Sequence, residues 1–182
     1  MSSTTASSIA TGTWNVDPSH STVGFVARHL MVTKVRGRFG AFTGTITIAD
    51  EPSQSSVEAS VEMSSVSTGD DSRDGHLRGS DFFDVETFPT MSFRSTSVTP
   101  KGSDYALIGE LTIRGVTKPV SFALEFDGVN TDPWGNTKAG FTATAEINRR
   151  EWGLEWNVAL DAGGMLVSEK IKIELDIQAA KA

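Results

Sequence analysis

The chain contains no cysteine. That excludes disulfides, thiolate nucleophiles and cysteine-based zinc sites, and leaves the redox compartment open. No apolar run approaches the ~18 residues of a membrane-spanning helix, so no stable membrane insertion is expected. The opening residues MSSTTASSIATG hold no Lys or Arg and no apolar stretch. No secretory signal is read there, and the expectation is a cytoplasmic protein with a disordered leader over residues 1–12. Positive charge is in deficit: 16 Lys and Arg against 23 Asp and Glu leave a formal net charge of −7, which argues against non-specific nucleic-acid binding. A convincing long amphipathic helix is absent as well. At 182 residues the chain is long enough for one good-sized core and too short for two comfortable domains, so residues 13–182 are read as a single domain.

What is present is period two. Val57, Ala59, Val61 and Met63 alternate with Glu58, Ser60 and Glu62. Tyr105, Leu107, Gly109, Leu111 and Ile113 share one face of a second segment, and Val120, Phe122, Leu124 and Phe126 one face of a third. Ala139, Phe141, Ala143, Ala145 and Ile147 form a fourth, and Ile171, Ile173, Leu175 and Ile177 a fifth. Each pattern predicts an antiparallel strand with one buried face and one wet face. Earlier, Val23, Phe25 and Ala27 share a face. Val35 and Phe39 then have odd parity whereas Phe42, Ile46 and Ile48 have even parity, a slip near Gly40 where a β-bulge would sit. With a weaker strand around Met91 and Phe93, the count is eight.

The turns PKGSD (100–104) and RGVTK (114–118) suit antiparallel neighbours. Eight such strands must each bury one face, and a closed barrel does so while removing its own edges; a two-sheet sandwich is the competing solution. Inward positions include the small residues Ala27, Gly44, Ala59, Gly109, Ala139, Ala143 and Ala145. Two readings of them stand open: they leave space for a small apolar ligand, or they complement large neighbours in a filled core.

Several linked segments carry a resemblance. WNVDPSHSTVGFVARHLMVTKVRGRFGAFTGTI, TGDDSRDGHLRGSDFFDVETFPTMSF, GELTIRGVTKPVSF and DPWGNTKAGFTATAEINRREWGL occur in order across residues 13 to 179. The sequence is similar to the YceI-like family of polyisoprenoid-binding, lipocalin-like barrels. The resemblance implies an all-β fold, an eight-stranded antiparallel barrel with short helical inserts. It also implies an apolar tunnel that takes an isoprenoid or other long-chain amphipathic lipid, with the polar head near a mouth. Family members commonly carry a secretory signal, which the leader here lacks. No cofactor or metal is implied. On this basis the expected lining is Val23, Phe25, Phe39, Phe42, Ile46, Val61, Met63, Phe93, Leu107, Leu111, Phe122, Leu124, Phe141, Ala143 and Ile173. Head-group candidates at a mouth are His20, Arg28, His29, Arg73, His76 and Trp152.

The charged stretch TGDDSRDGHLRGSDFFD (68–84) admits three chemistries. Asp70, Ser72, Asp74, Gly75 and Asp81 fall near the register of a calcium loop, but Arg73 and Arg78 place positive charge inside it. His76 and Asp74 form the acid–base pair of an enzyme reading, without an accompanying nucleophile or cofactor motif. The structural reading has Asp70 or Asp71 capping a short helix that Gly79 ends, with Leu77, Phe82, Phe83 and Phe88 as its apolar side over one barrel opening. From Ser19 to Ala49 no acidic residue occurs, while Arg28, Lys34, Arg36 and Arg38 do. That asymmetry suits an anionic head group or membrane surface, or a solvated strand face paired with acidic neighbours. Trp152 and Trp156, four apart, are expected on one face of a helical turn at the other end of the barrel, or in the core. The leading expectation is a non-catalytic lipid carrier, with an enzyme on such a lipid or a packed interaction module as alternatives. An edge-free barrel needs no partner, and a homodimer is compatible with it.

Overall fold

The computed structural model describes residues 9–160 and 165–182. The first eight residues of the expected leader therefore lie outside the described residues. The alternating segments form β1 (Gly12–Val16), β2 (Thr22–His29), β3 (Thr33–Phe39), β4 (Phe42–Ile48), β5 (Ser56–Glu62) and β6 (Val66–Ser67). The helix α1 (Asp71–Arg78) follows, then β7 (Thr90–Lys101), β8 (Asp104–Ile113), β9 (Val116–Thr131), β10 (Thr137–Asn148) and β11 (Lys170–Lys181). Every pairing is antiparallel.

Eleven segments make eight staves, because β1 with β2, β3 with β4, and β5 with β6 are each one interrupted strand. The ring closes where β11 pairs with β10 on one side and with both β1 and β2 on the other. Closure leaves no long unpaired edge in the ring. The interruptions have local causes. Pro18 opens a 3-10 turn between β1 and β2, capped by Asp17, whose carboxylate accepts from the Ser19 amide at 3.0 Å. Gly40 and Ala41 separate β3 from β4, which turns both odd-numbered Phe39 and even-numbered Phe42 inward, as the parity slip predicts. A second shift, between Ser95 and Ser97 of β7, lets Met91, Phe93 and Val98 share the inner face.

One end of the barrel collects the β2–β3, β6–β7, β8–β9 and β10–β11 connections; the other collects β4–β5, β7–β8 and β9–β10. The first end carries α1. Asp70 caps it, accepting from the Arg73 amide at 3.0 Å, and Gly79 is its C-cap. The stretch with calcium-loop spacing is thus helical, and no metal-holding cluster occurs among the described residues. Toward the opposite end, fully buried Trp14 packs with Ile46, Ala139 and Ala179, and its indole donates to Ala10 O at 2.9 Å. Ile9 packs against that cluster, while Ala10 and Thr11 just before β1 are exposed.

Two expectations need correction here. The described residues 149–160 and 165–169 sit at the same end as α1, because they lie between β10 and β11, and Trp156 packs onto His76. Trp152 and Trp156 also do not share a helical face. The 3-10 turn Arg149–Trp152 stops at Gly153, whose φ of 79° is left-handed, and Trp156 lies beyond it.

Candidate ligand-binding site

The inner faces of the staves surround a cavity of about 1160 Å³ that reaches from the α1 mouth to the β4–β5 turn. Its walls are mainly apolar, with Phe25, Phe39, Phe42, Phe93, Phe122 and Phe141 among them. The small inward residues serve both roles proposed for them. At Gly109 a Cβ would stand 2.6 Å from Arg94 O and collide with the Phe93 ring, so this glycine makes room for a neighbour. Ala27, Ala59 and Ala143 instead line the cavity, where their small size leaves the lumen open.

Fourteen of the fifteen residues expected to line the tunnel face this cavity. Met63 does not. β5 ends at Glu62, and Met63 begins a 3-10 turn that buries it to 2% exposure within the wall. Of the mouth candidates, Arg28, His29, Arg73 and His76 line the α1 end. His20 is not among the cavity's lining; it lies in the exposed turn between β1 and β2, with Nδ1 2.8 Å from Asp17. Trp152 is buried outside the cavity, its indole donating to Leu111 O at 2.9 Å.

The α1 mouth is built from three elements. From α1, Leu77 faces the cavity, and Phe82 and Phe83 follow from the turn after it. Asp74, also on α1 but buried, accepts from the Thr68 amide at 2.8 Å and from its hydroxyl at 2.6 Å. His76 pairs instead with Asp81, Nε2 to Oδ2 2.9 Å, and lies edge-on to Trp156 with ring centroids 4.6 Å apart. The acid–base pair His76/Asp74 is therefore not hydrogen-bonded together; each partner is engaged elsewhere. Arg73 is held over Thr68, donating to its hydroxyl at 2.6 Å and its carbonyl at 2.8 Å.

The third element supplies Arg149, which sequence reasoning missed. Only 4% exposed, it lines the cavity and donates to Leu154 O at 2.6 Å and Ser168 O at 2.9 Å. No carboxylate lies within ion-pair distance of it among the described residues. Burial lowers its pKa, with nearby Glu169 opposing that shift. In sequence it is the first of two adjacent arginines after a strand, which reads as surface charge. Trp156 was visible as one of a tryptophan pair, but its contact with α1 was not.

Polar and charged groups thus gather at one mouth, where the cationic or titratable Arg28, Arg73, Arg149, His29 and His76 outnumber the single lining carboxylate, Asp70. At the far end Asp50 is the one charged side chain lining the cavity among the described residues. An apolar lumen with a polar, cationic entrance defines a lipocalin-like barrel suited to amphipathic ligands. Within that class the chain belongs to the YceI-like family, whose domain model matches residues 14–179.

A UPF0312 protein of Staphylococcus aureus strain bovine RF122 / ET3-1 is 36% identical over 160 residues, 87% of this chain and 91% of its own length. Its counterpart in strain N315 is 35% identical over the same span. Among solved structures, Burkholderia cenocepacia BcnA superposes with a TM-score of 0.74 at 22% identity, covering 90% of this chain and 98% of its own. A Campylobacter jejuni YCEI protein gives 0.71 at 25% identity, with 85% and 90% coverage. A polyisoprenoid binding domain from Saccharophagus degradans, described as implicated in plant cell wall breakdown, gives 0.69 at 16% identity, with 95% and 100% coverage.

Proposed function

We propose that the protein is a non-catalytic carrier or store of a long-chain isoprenoid lipid, of polyprenyl or quinone type. The observation that carries this reading is the continuous apolar cavity with polar groups at one mouth. At roughly 30 Å³ per non-hydrogen atom, the share of a water in the liquid, 1160 Å³ has room for on the order of thirty to forty atoms. Each buried methylene contributes about 0.8 kcal/mol, so a five-carbon isoprene unit brings roughly 4 kcal/mol gross. Ordering a flexible chain takes back several kcal/mol, and a few enclosed units suffice for useful affinity. A smooth apolar tube measures length and branching more than chemistry, so tail specificity is low.

The head belongs at the α1 mouth in this reading. Arg28, Arg73 and Arg149 outweigh Asp70 and favour an anionic or strongly hydrogen-bond-accepting group there, whereas Asp50 disfavours one at the far end. A quinone head at that mouth lies against Trp156 and quenches its fluorescence. Titration with a short-chain prenyl quinone is therefore expected to quench emission in the native protein and much less in Trp156→Phe. Saturable binding with equal quenching in both would place the head elsewhere. No saturable binding would remove the carrier reading.

A further inference from the structure

At the α1 mouth the β2–β3 hairpin ends in a turn whose backbone is costly. Leu30 and Met31 both have left-handed φ, 55° and 60°. Glycine and asparagine occupy that region readily, and long apolar side chains do not. The β8–β9 hairpin meets the same demand with Arg114 followed by Gly115. Here two residues ill suited to the backbone occupy it, and their side chains face water: Leu30 is 45% exposed, Met31 54% and neighbouring Val32 75%.

The apolar exposure is concentrated. Val158 and Met165, 47% and 38% exposed, flank the hairpin on the adjoining segment. Leu30 N donates to Leu166 O at 2.8 Å, and His29 bridges to Val167, which fixes the two together. Five of the six large apolar side chains exposed among the described residues therefore share this rim; the sixth, Trp134, is in the β9–β10 turn at the far end.

Beside the tip lies positive charge. Arg28 and Lys34 are directly opposite in the β2–β3 ladder, an arrangement of like charges that destabilises a sheet. Neither takes part in an ion pair among the described residues, whereas Arg36, further along β3, is held by Glu174 at 3.1 Å. We propose that this rim docks the barrel, peripherally and reversibly, on an anionic lipid bilayer. Leu30, Met31 and Val32 enter the boundary between head groups and acyl chains, and Arg28 and Lys34 lie against lipid phosphates. The net charge of −7 keeps the remaining surface turned away. A narrow hairpin tip with a cationic collar suits a penetrable surface better than a flat protein face. Arg28, His29, Leu166 and Val167 also line the cavity, so a docked rim brings the opening to the bilayer. Docking stands on the tip and its charges alone; its use for loading lipid rests on the carrier reading.

Flotation of the full chain with vesicles tests this. Binding is expected to vesicles of phosphatidylcholine and phosphatidylglycerol in equal parts, to be weak with phosphatidylcholine alone, and to fall with added salt. The double variant L30N/M31G suits the left-handed turn, so it is expected to melt higher yet bind the mixed vesicles at least about tenfold more weakly. Val32→Ser, outside the left-handed positions, is expected to weaken flotation with melting unchanged. R28Q/K34Q is expected to lose roughly fivefold per charge, and only on the anionic vesicles. Absence of flotation by the native chain, or undiminished flotation of L30N/M31G, overturns the proposal. So does a tip-dependent dimer that forms without vesicle binding. Uptake of geranylgeraniol from solution by both native and L30N/M31G proteins is scored separately. If neither takes it up, the carrier reading fails, and flotation still decides docking.

Discussion

Arg149 is a cation surrounded by main-chain carbonyls, and its removal is expected to cost stability. Replacing it by Gln leaves carbonyls of Leu154 and Ser168 poorly satisfied, at an expected cost of about 3 kcal/mol in urea unfolding. Its partial retention by Arg149→Lys, which keeps charge without the fork, would show how far geometry exceeds charge there. Asp17 makes a pH prediction. Hydrogen bonds from Ser19 and His20 hold its pKa down to about 2 from 3.8. The folded value lies below the unfolded one, so its stabilising effect is full above pH 3.8 and is lost as pH falls toward about 2. Urea midpoints of native and Asp17→Asn proteins should differ by a constant amount near neutrality and converge in that acid window. At this scale the sequence was legible wherever strand parity held, which is why Phe25, Leu107 and Ile173 face the cavity. It failed at Met63 and Trp152, where a 3-10 turn replaces the two-residue period and alternation no longer tells inside from outside.

Among elements, α1 depends on its ends more than on its composition. Eight residues are too few for a helix to persist alone, so the Asp70 cap, the packing of Leu77 and the contact of His76 with Phe82 hold it at the mouth. Asp70→Ala is expected to cost about 1 kcal/mol. Hydrogen exchange across residues 71–78 should rise before global unfolding, and bound lipid should leave faster. Unchanged exchange there would mean that tertiary packing alone fixes the helix. The helix and both its caps could be read from the sequence, because an Asp followed by an acidic first turn and a Gly stop is a local signal. That Trp156 and the turn at Arg149–Trp152 share its mouth could not, since the placement follows from the ring order of the strands. The same ring order brings Arg149, Trp156 and His76 together from distant parts of the chain.

For the molecule as a whole, closure of the ring and openness of the lumen are distinct properties. Trp14 belongs to closure: Trp14→Ala should cost about 3–5 kcal/mol, because the cavity it leaves lies between β1, β4, β10 and β11. Ala143 belongs to the lumen. Ala143→Phe is expected to exclude long prenyl chains while leaving the barrel's circular-dichroism spectrum unchanged; undiminished uptake by that variant would mean the ligand does not traverse the lumen. Eight strands were readable from periodicity and turns, and their closure into a barrel from the family resemblance, but whether small inward residues enclosed space or filled it depended on which neighbour each one meets. Organic extraction and native mass spectrometry of the protein purified from its own host address the central claim most directly. The account predicts an isoprenoid-type lipid bound within each barrel. Recovery of no lipid, together with no uptake of prenyl quinones or polyprenyl phosphates, would contradict it.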